Sequence, residues 1–331
     1  MASSGRQDGR GRARGGREAQ QVPDADFSSY YGRPVVRETV WGPDIPSYLF
    51  LGGLAGASSG LAAAAHLTGN RELALAAKAA AAGAISLSMA ALVHDLGRPA
   101  RFINMLRVLK VTSPMSVGTW IVSGYAPLAF AAAACNITQR LRTAGTLATI
   151  GAAALGPAVA SYTAVLLSDT ATPAWHGAYR ELPYLFAGSA ASAAGGLGML
   201  AVRPDRARQA IRLAAVGATA ELAARHLLER RLGKNAEPYR TGRAGILLKA
   251  AEGLTVAGLA GTVLAGTVLA GQRRAAAACS GAALLVASAL TRFGVFEAGR
   301  ASARDPKYTV GPQRDGLRMR PVGDPAASDV Q

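Results

Sequence analysis

His94-Asp95-Leu96-Gly97-Arg98-Pro99-Ala100-Arg101-Phe102 is the stretch on which the reading of this chain turns, together with what flanks it. Before it runs the apolar stretch Ala79–Val93; after it, Val111–Gln139 carries no charged residue. An acid, an imidazole and two guanidiniums therefore gather where one membrane-spanning helix ends and a short loop leads to the next. Ionisable groups at that depth are costly and point to function. Other uncharged runs extend the pattern: Ile45–Leu67 over 23 residues, Thr143–Ser168 over 26, Leu182–Val202 over 21 and Gly253–Gln272 over 20. About 20 apolar residues cross a bilayer core as a helix, and the backbone there must satisfy its own hydrogen bonds. The fold class is an all-α integral membrane protein.

Eight spans are predicted, at about 46–68, 73–95, 116–138, 144–168, 182–202, 209–229, 247–271 and 275–297, packed as two four-helix bundles. The sixth is the most polar. Glu221 and Arg225 stand at i,i+4 there, a spacing at which they neutralise each other on one face. The eighth ends near Arg292, whose length allows it to snorkel to the surface. Gly52, Gly56 and Gly60 form a small-xxx-small stripe for close helix contact. Gly261-Thr-Val-Leu-Ala is repeated at once as Gly266-Thr-Val-Leu-Ala, a local duplication. The domain organisation is a disordered basic tail over 1–40, a transmembrane domain over 41–298 and an irregular tail over 299–331.

Composition narrows the function. Half of the 331 residues are hydrophobic, only 6% are aromatic, and the net charge is +16. The positive charges sit in tails and loops, as the positive-inside bias produces, without the aromatic-basic stripe of a nucleic-acid binder. Cys135 and Cys279 both lie inside apolar runs and offer no iron–sulfur or zinc spacing. The four histidines, His66, His94, His176 and His226, suggest no facing pair for a haem. No cleavable signal peptide is visible, because a long polar tail precedes the first apolar run. With eight spans, both tails and the loops after spans two, four and six hold 23 Lys and Arg against 8 in the opposite loops. Both termini are therefore expected in the cytoplasm, with the chain in the cell membrane and lipid its surroundings.

Three constellations could carry chemistry. Asp95 beside His94 can pass a proton to and from a redox ligand; the structural alternative is that Asp95 pairs with Arg98 or Arg101 and fixes the loop. In Trp41-Gly-Pro-Asp44-Ile-Pro46-Ser-Tyr48, Asp44 suits an N-cap and Tyr48 an interfacial anchor. Tyr162 and Asp169 share a helix face if the helix persists that far. The Tyr162 hydroxyl then bonds either a ligand carbonyl or a neighbouring helix. A reading from another class makes Glu221, Arg225 and His226 the coupling site of a secondary transporter or ion carrier.

Four pieces, taken together and in order, resemble the NrfD family of polysulfide-reductase-type membrane subunits. They are Trp41-Gly-Pro-Asp-Ile-Pro-Ser-Tyr-Leu-Phe-Leu-Gly-Gly-Leu-Ala-Gly; Asp95-Leu-Gly-Arg-Pro-Ala-Arg-Phe with Asn104-Met-Leu; Ser113-Pro-Met-Ser-Val-Gly-Thr-Trp; and Ser161-Tyr-Thr-Ala-Val-Leu-Leu-Ser-Asp-Thr-Ala-Thr-Pro-Ala-Trp. The resemblance covers 41–175 and implies an eight-helix subunit binding no haem or iron–sulfur cluster of its own. Such a subunit exchanges electrons between a membrane quinone, menaquinone or ubiquinone, and an iron–sulfur, ferredoxin-like partner. That partner serves a molybdopterin-containing catalytic subunit. The family's quinone site lies near the start of span one and the end of span four. Tyr162 takes the position of the tyrosine proposed to bond the quinone. Tyr48 stands where some members have histidine, and Ile45 where they have asparagine. A passive anchor without quinone chemistry is the remaining alternative. The candidate residues are thus His94 and Asp95 for proton handling, Asp44, Tyr48, Tyr162 and Asp169 around the quinone, and Arg98, Arg101 and Arg107 for partner docking.

Overall fold

A computed structural model describes residues 35–98, 100–264 and 270–310, with side chains of 270–273 excepted. Most of both predicted tails and part of the Gly-Thr-Val-Leu-Ala duplication lie outside the described residues. The regular structure among those described is helical. The long helices are α1 (Asp44–Leu67), α2 (Arg71–Leu96), α4 (Pro114–Thr138), α5 (Arg142–Ser168), α7 (Leu182–Ala201), α8 (Arg208–Leu232), α10 (Gly242–Leu264) and α11 (Ala270–Arg304). Short helices α3 (Ala100–Met105), α6 (Pro173–Gly177) and α9 (Glu237–Arg240) sit in the connections. Seven helices among the described residues are long and apolar enough to cross a membrane. The chain is an all-α, multi-pass membrane protein. The helix outside that count is α8, whose length suffices but whose outer face carries arginines.

The helix ends follow local chemistry. Asn70 caps α2 by accepting from the Leu73 amide at 3.3 Å, and Gly97, at φ +69°, closes it in the left-handed region that glycine tolerates. Pro114 opens α4 where a missing N–H costs nothing. The link from α4 to α5 is tight, with Gln139 at φ +55° and Leu141 at φ +52°, positions that non-glycine residues adopt sparingly.

α1 packs on α2 and α5, and α4 packs on α5 and α2; α7 packs on α8 and α11, and α10 on α11 and α8. α1 also touches α7. Small residues bring backbones together: a Cβ at Gly56 would strike the Gly156 carbonyl, and one at Gly217 the Ser192 amide. The stripe on α1 is not a single seam. Gly52 faces Ser88, Gly56 faces α5, and Gly60 faces open space.

Two charge expectations change. Arg225 turns away from Glu221 to Glu229 at 3.3 Å, Glu252 at 3.5 Å and the Leu248 carbonyl at 2.6 Å. Glu221 is buried and accepts from Thr291 at 2.7 Å and Ser192 at 3.3 Å. Arg292 does not snorkel, because α11 runs on to Arg304 and leaves it 0% exposed. Its Nη2 donates to the Phe186 carbonyl at 2.7 Å, and its guanidinium lies 4.0 Å from the Phe186 ring centre. Arg292 and Glu221 attract each other electrostatically without forming an ion pair.

The segment before α1 is strapped to the end of α11. Glu38 accepts from Arg300 Nε at 2.7 Å and from Arg304 Nε and Nη2 at 2.8 and 2.7 Å. Trp41, which follows, stacks on the fully buried Trp175 of α6 with ring centres 6.1 Å apart. Trp175 Nε1 donates to the Val295 carbonyl on α11 at 2.8 Å.

Candidate functional site

The start of α1, the end of α2, α3, the first turns of α4 and the second half of α5 enclose a crevice of about 90 Å³. Trp41, Ile45 and Tyr48 form one wall, Leu92 and Asp95 the next, and Gly118, Thr119 and Tyr162 the floor. Phe102, Met105 and Met115 close the outside. The space is mainly apolar with two phenols and one carboxyl aimed at it.

Tyr162 is 8% exposed, and its hydroxyl is buried with no hydrogen-bond partner. A buried phenol without a partner costs about 1–3 kcal/mol, so a group that accepts from it would be bound with that gain. The ring owes its position to Gly118, since a Cβ there would overlap it. Buried Tyr125, by contrast, donates to the Ala55 carbonyl at 2.6 Å and meets Ser59 at 2.7 Å.

The other sequence candidates separate into groups. Asp95 lines the crevice and lies against the Gly42 backbone. It pairs with neither Arg98 nor Arg101; Arg101 Nη1 donates to the Leu96 carbonyl at 2.8 Å and caps α2. Asp44 is the first residue of α1, not its cap, and its Oδ2 meets His94 Nδ1 at 2.9 Å. The His94 side chain is 80% exposed, so this pair clips α1 to α2 on the rim. Asp169 follows the last residue of α5, and lines a separate cavity of about 510 Å³ with His176 and Tyr308. Arg98, Arg101 and Arg107 are exposed on the connection beside the crevice. In the other half, Glu221 points inward, Arg225 toward α10, and His226 outward; the three do not converge.

Gly118, Thr119, Phe102 and the two methionines were not among the sequence candidates. Gly118 had a signal, standing in the Ser-Pro-Met-Ser-Val-Gly-Thr-Trp piece, but its meaning depends on a ring 44 positions away on another helix. Among the described residues no three His, Cys, Asp or Glu side chains gather as a metal-ligand group.

Fold and site together define a multi-pass α-helical membrane protein with an unsatisfied phenol in a crevice at one end of its first four long helices. The family model described as Polysulphide reductase, NrfD matches residues 35–217. The chain belongs to the NrfD family. The match extends beyond the pieces that first suggested it and runs into α8. No curated protein matches the chain.

Proposed function

We propose that this chain is the membrane-anchor and quinone-reactive subunit of a multi-subunit oxidoreductase. It passes electrons between menaquinone or ubiquinone in the membrane and an iron–sulfur, ferredoxin-like partner of a molybdopterin-containing enzyme. One observation carries the reading: the buried, partnerless Tyr162 hydroxyl in the lining of an apolar crevice. Family membership supports it.

A bound quinone would supply reversible two-electron, two-proton chemistry at its ring oxygens. The residues present fit such a ring. Tyr162 would donate a hydrogen bond to one carbonyl, Tyr48 also lines the crevice and would serve the other, and Ile45 and Val122 give apolar walls. Asp95 holds or releases a proton at the carboxyl, and the Asp44–His94 pair beside it continues to water. Asp169, on its separate cavity, takes no part at the ring. At about 90 Å³ the crevice is tighter than the 150 Å³ cavity that admits benzene. Met105 and Met115 would have to move aside to admit a ring, which flexible thioether chains permit. No residue of α3 is buried, so that short helix yields readily.

In this reading α8 is also a span, giving eight in two four-helix bundles, with its buried face of Ala210, Ala214, Gly217 and Ala218 against α7. Both termini and the crevice end lie on the cytoplasmic side. Arg98, Arg101 and Arg107 present positive charge there to an acidic face of the partner. The test is to purify the whole complex and titrate a quinone analogue while recording the partner's iron–sulfur spectrum. A shift in the signal is expected, with Tyr162→Phe weakening it about fivefold, the worth of one hydrogen bond near 1 kcal/mol. An unperturbed spectrum at saturating analogue overturns the reading.

A further inference from the structure

The end of the first four long helices remote from the crevice holds a second cavity, of about 350 Å³. It lies where α1 and α4 finish and α2 and α5 begin. Arg71, Lys78 and Arg142 line it with His66, Asn136 and Thr146, and no carboxylate does. Three basic side chains thus face one space.

Lys78 is the unusual member. It sits two turns inside α2 among alanines and is 3% exposed. Its ammonium donates to Asn136 Oδ1 at 3.1 Å and to His66 Nδ1 at 3.3 Å. Accepting at Nδ1 leaves the His66 proton on Nε2, which donates to Thr146 Oγ1 at 3.0 Å. Every partner is neutral. A buried ammonium is costly unless a negative charge answers it. Arg225, Arg231, Arg240, Arg300 and Arg304 each find a carboxylate. Among the described residues none pairs with Arg71, Lys78 or Arg142. α5 also begins at this cavity with no side-chain cap, so its first amides add to the positive field.

We propose that this cavity binds a phosphate-class oxyanion, with Lys78 as its buried anchor and Arg71 and Arg142 as its outer clamp. The volume equals the share of roughly ten waters, room for a phosphodiester and part of a headgroup. The cavity opens at the level where spans end, so an anionic phospholipid and dissolved phosphate are the two sources of the same chemistry. The site is independent of the quinone assignment, lying at the opposite end of the same helices.

The experiment uses the full chain, as wild type, as Arg71→Ala/Arg142→Ala and as Lys78→Met. One arm equilibrates each with equal phosphatidylglycerol and phosphatidylcholine and counts retained lipid by native mass spectrometry. The other titrates inorganic phosphate in neutral detergent and follows thermal unfolding. Wild type is expected to retain the anionic lipid about tenfold over the zwitterionic one, the effect of one charge-assisted contact, and the double variant to lose the preference. A rise in Tm with phosphate alone, absent in the double variant, assigns the same site to the soluble anion. Should Lys78→Met fail to fold, the double variant still reads the site, because both arginines are exposed. Lipid retention and phosphate response that are the same in wild type and double variant overturn the proposal.

Discussion

Tyr162 and Asp95 share the crevice but ask for different tests. If Asp95 moves protons, Asp95→Asn leaves a fully assembled complex that turns over slowly with an altered pH profile. If it only steadies the segment around Gly42, the complex is under-assembled and each surviving molecule works normally; assembly yield against turnover per molecule separates the two. Gly118→Ala pushes a methyl into the Tyr162 ring. Overpacking of this kind costs about 1–3 kcal/mol. Thermal unfolding should show that loss, and quinone-analogue affinity should fall with it. Affinity unchanged in Gly118→Ala would detach the ring's placement from binding. Tyr48, Tyr162 and Asp95 were legible in the sequence because each lies in a motif at a span end. Lys78 was not, since one cation in an alanine run gives no hint that its acceptors sit on α1 and α4.

At the level of helices, hydropathy located the long elements well, because a lipid-facing helix must be apolar along its whole length. It could not see what lies between helices. Arg292 illustrates the difference. A guanidinium near a predicted span end reads as one that reaches water, yet its carbonyl partner and its ring are both Phe186 on α7. Asp44 misled in the same manner: its spacing from Pro46 suits a cap, while its actual partner is on α2. The strap before α1 has a consequence for pH. Hydrogen bonds from Arg304, and then from Arg300, hold the Glu38 carboxyl from its ordinary 4.5 down to about 2. A depressed carboxylate stabilises fully above its unfolded value, and that support fades as pH falls from about 4.5 toward about 2. Acidification through this window should change tryptophan emission as Trp41 leaves Trp175. Glu38→Gln should already lack the strap at neutral pH and show no such acid step.

For the whole molecule, the charge bias makes a sharp statement. The described chain begins and ends near the crevice, and the sequence puts 23 Lys and Arg in the tails and connections of that side against 8 in the opposite loops. A phosphatase fused after Gln331, active only outside the cytoplasm, should be silent, and a fluorescent protein at the same place should be bright. An active phosphatase would invert the orientation and move the partner to the other side of the membrane. The multi-pass architecture could be read from hydropathy, and the order of the spans already put Tyr48, Asp95 and Tyr162 at one end; the separation of Asp169 could not be read, because it depends on α5 ending at Ser168.

The Glu38 strap also sets an order of events during synthesis. Glu38 leaves the ribosome 262 residues before Arg300. Until the last helix is in the membrane, Glu38 lacks both of its arginines, and Trp175 lacks the Val295 carbonyl that fixes its indole. The crevice wall formed by Trp41 is therefore the final piece to settle. A chain cut before α11 would therefore lack both the arginines that clasp Glu38 and the carbonyl that fixes Trp175.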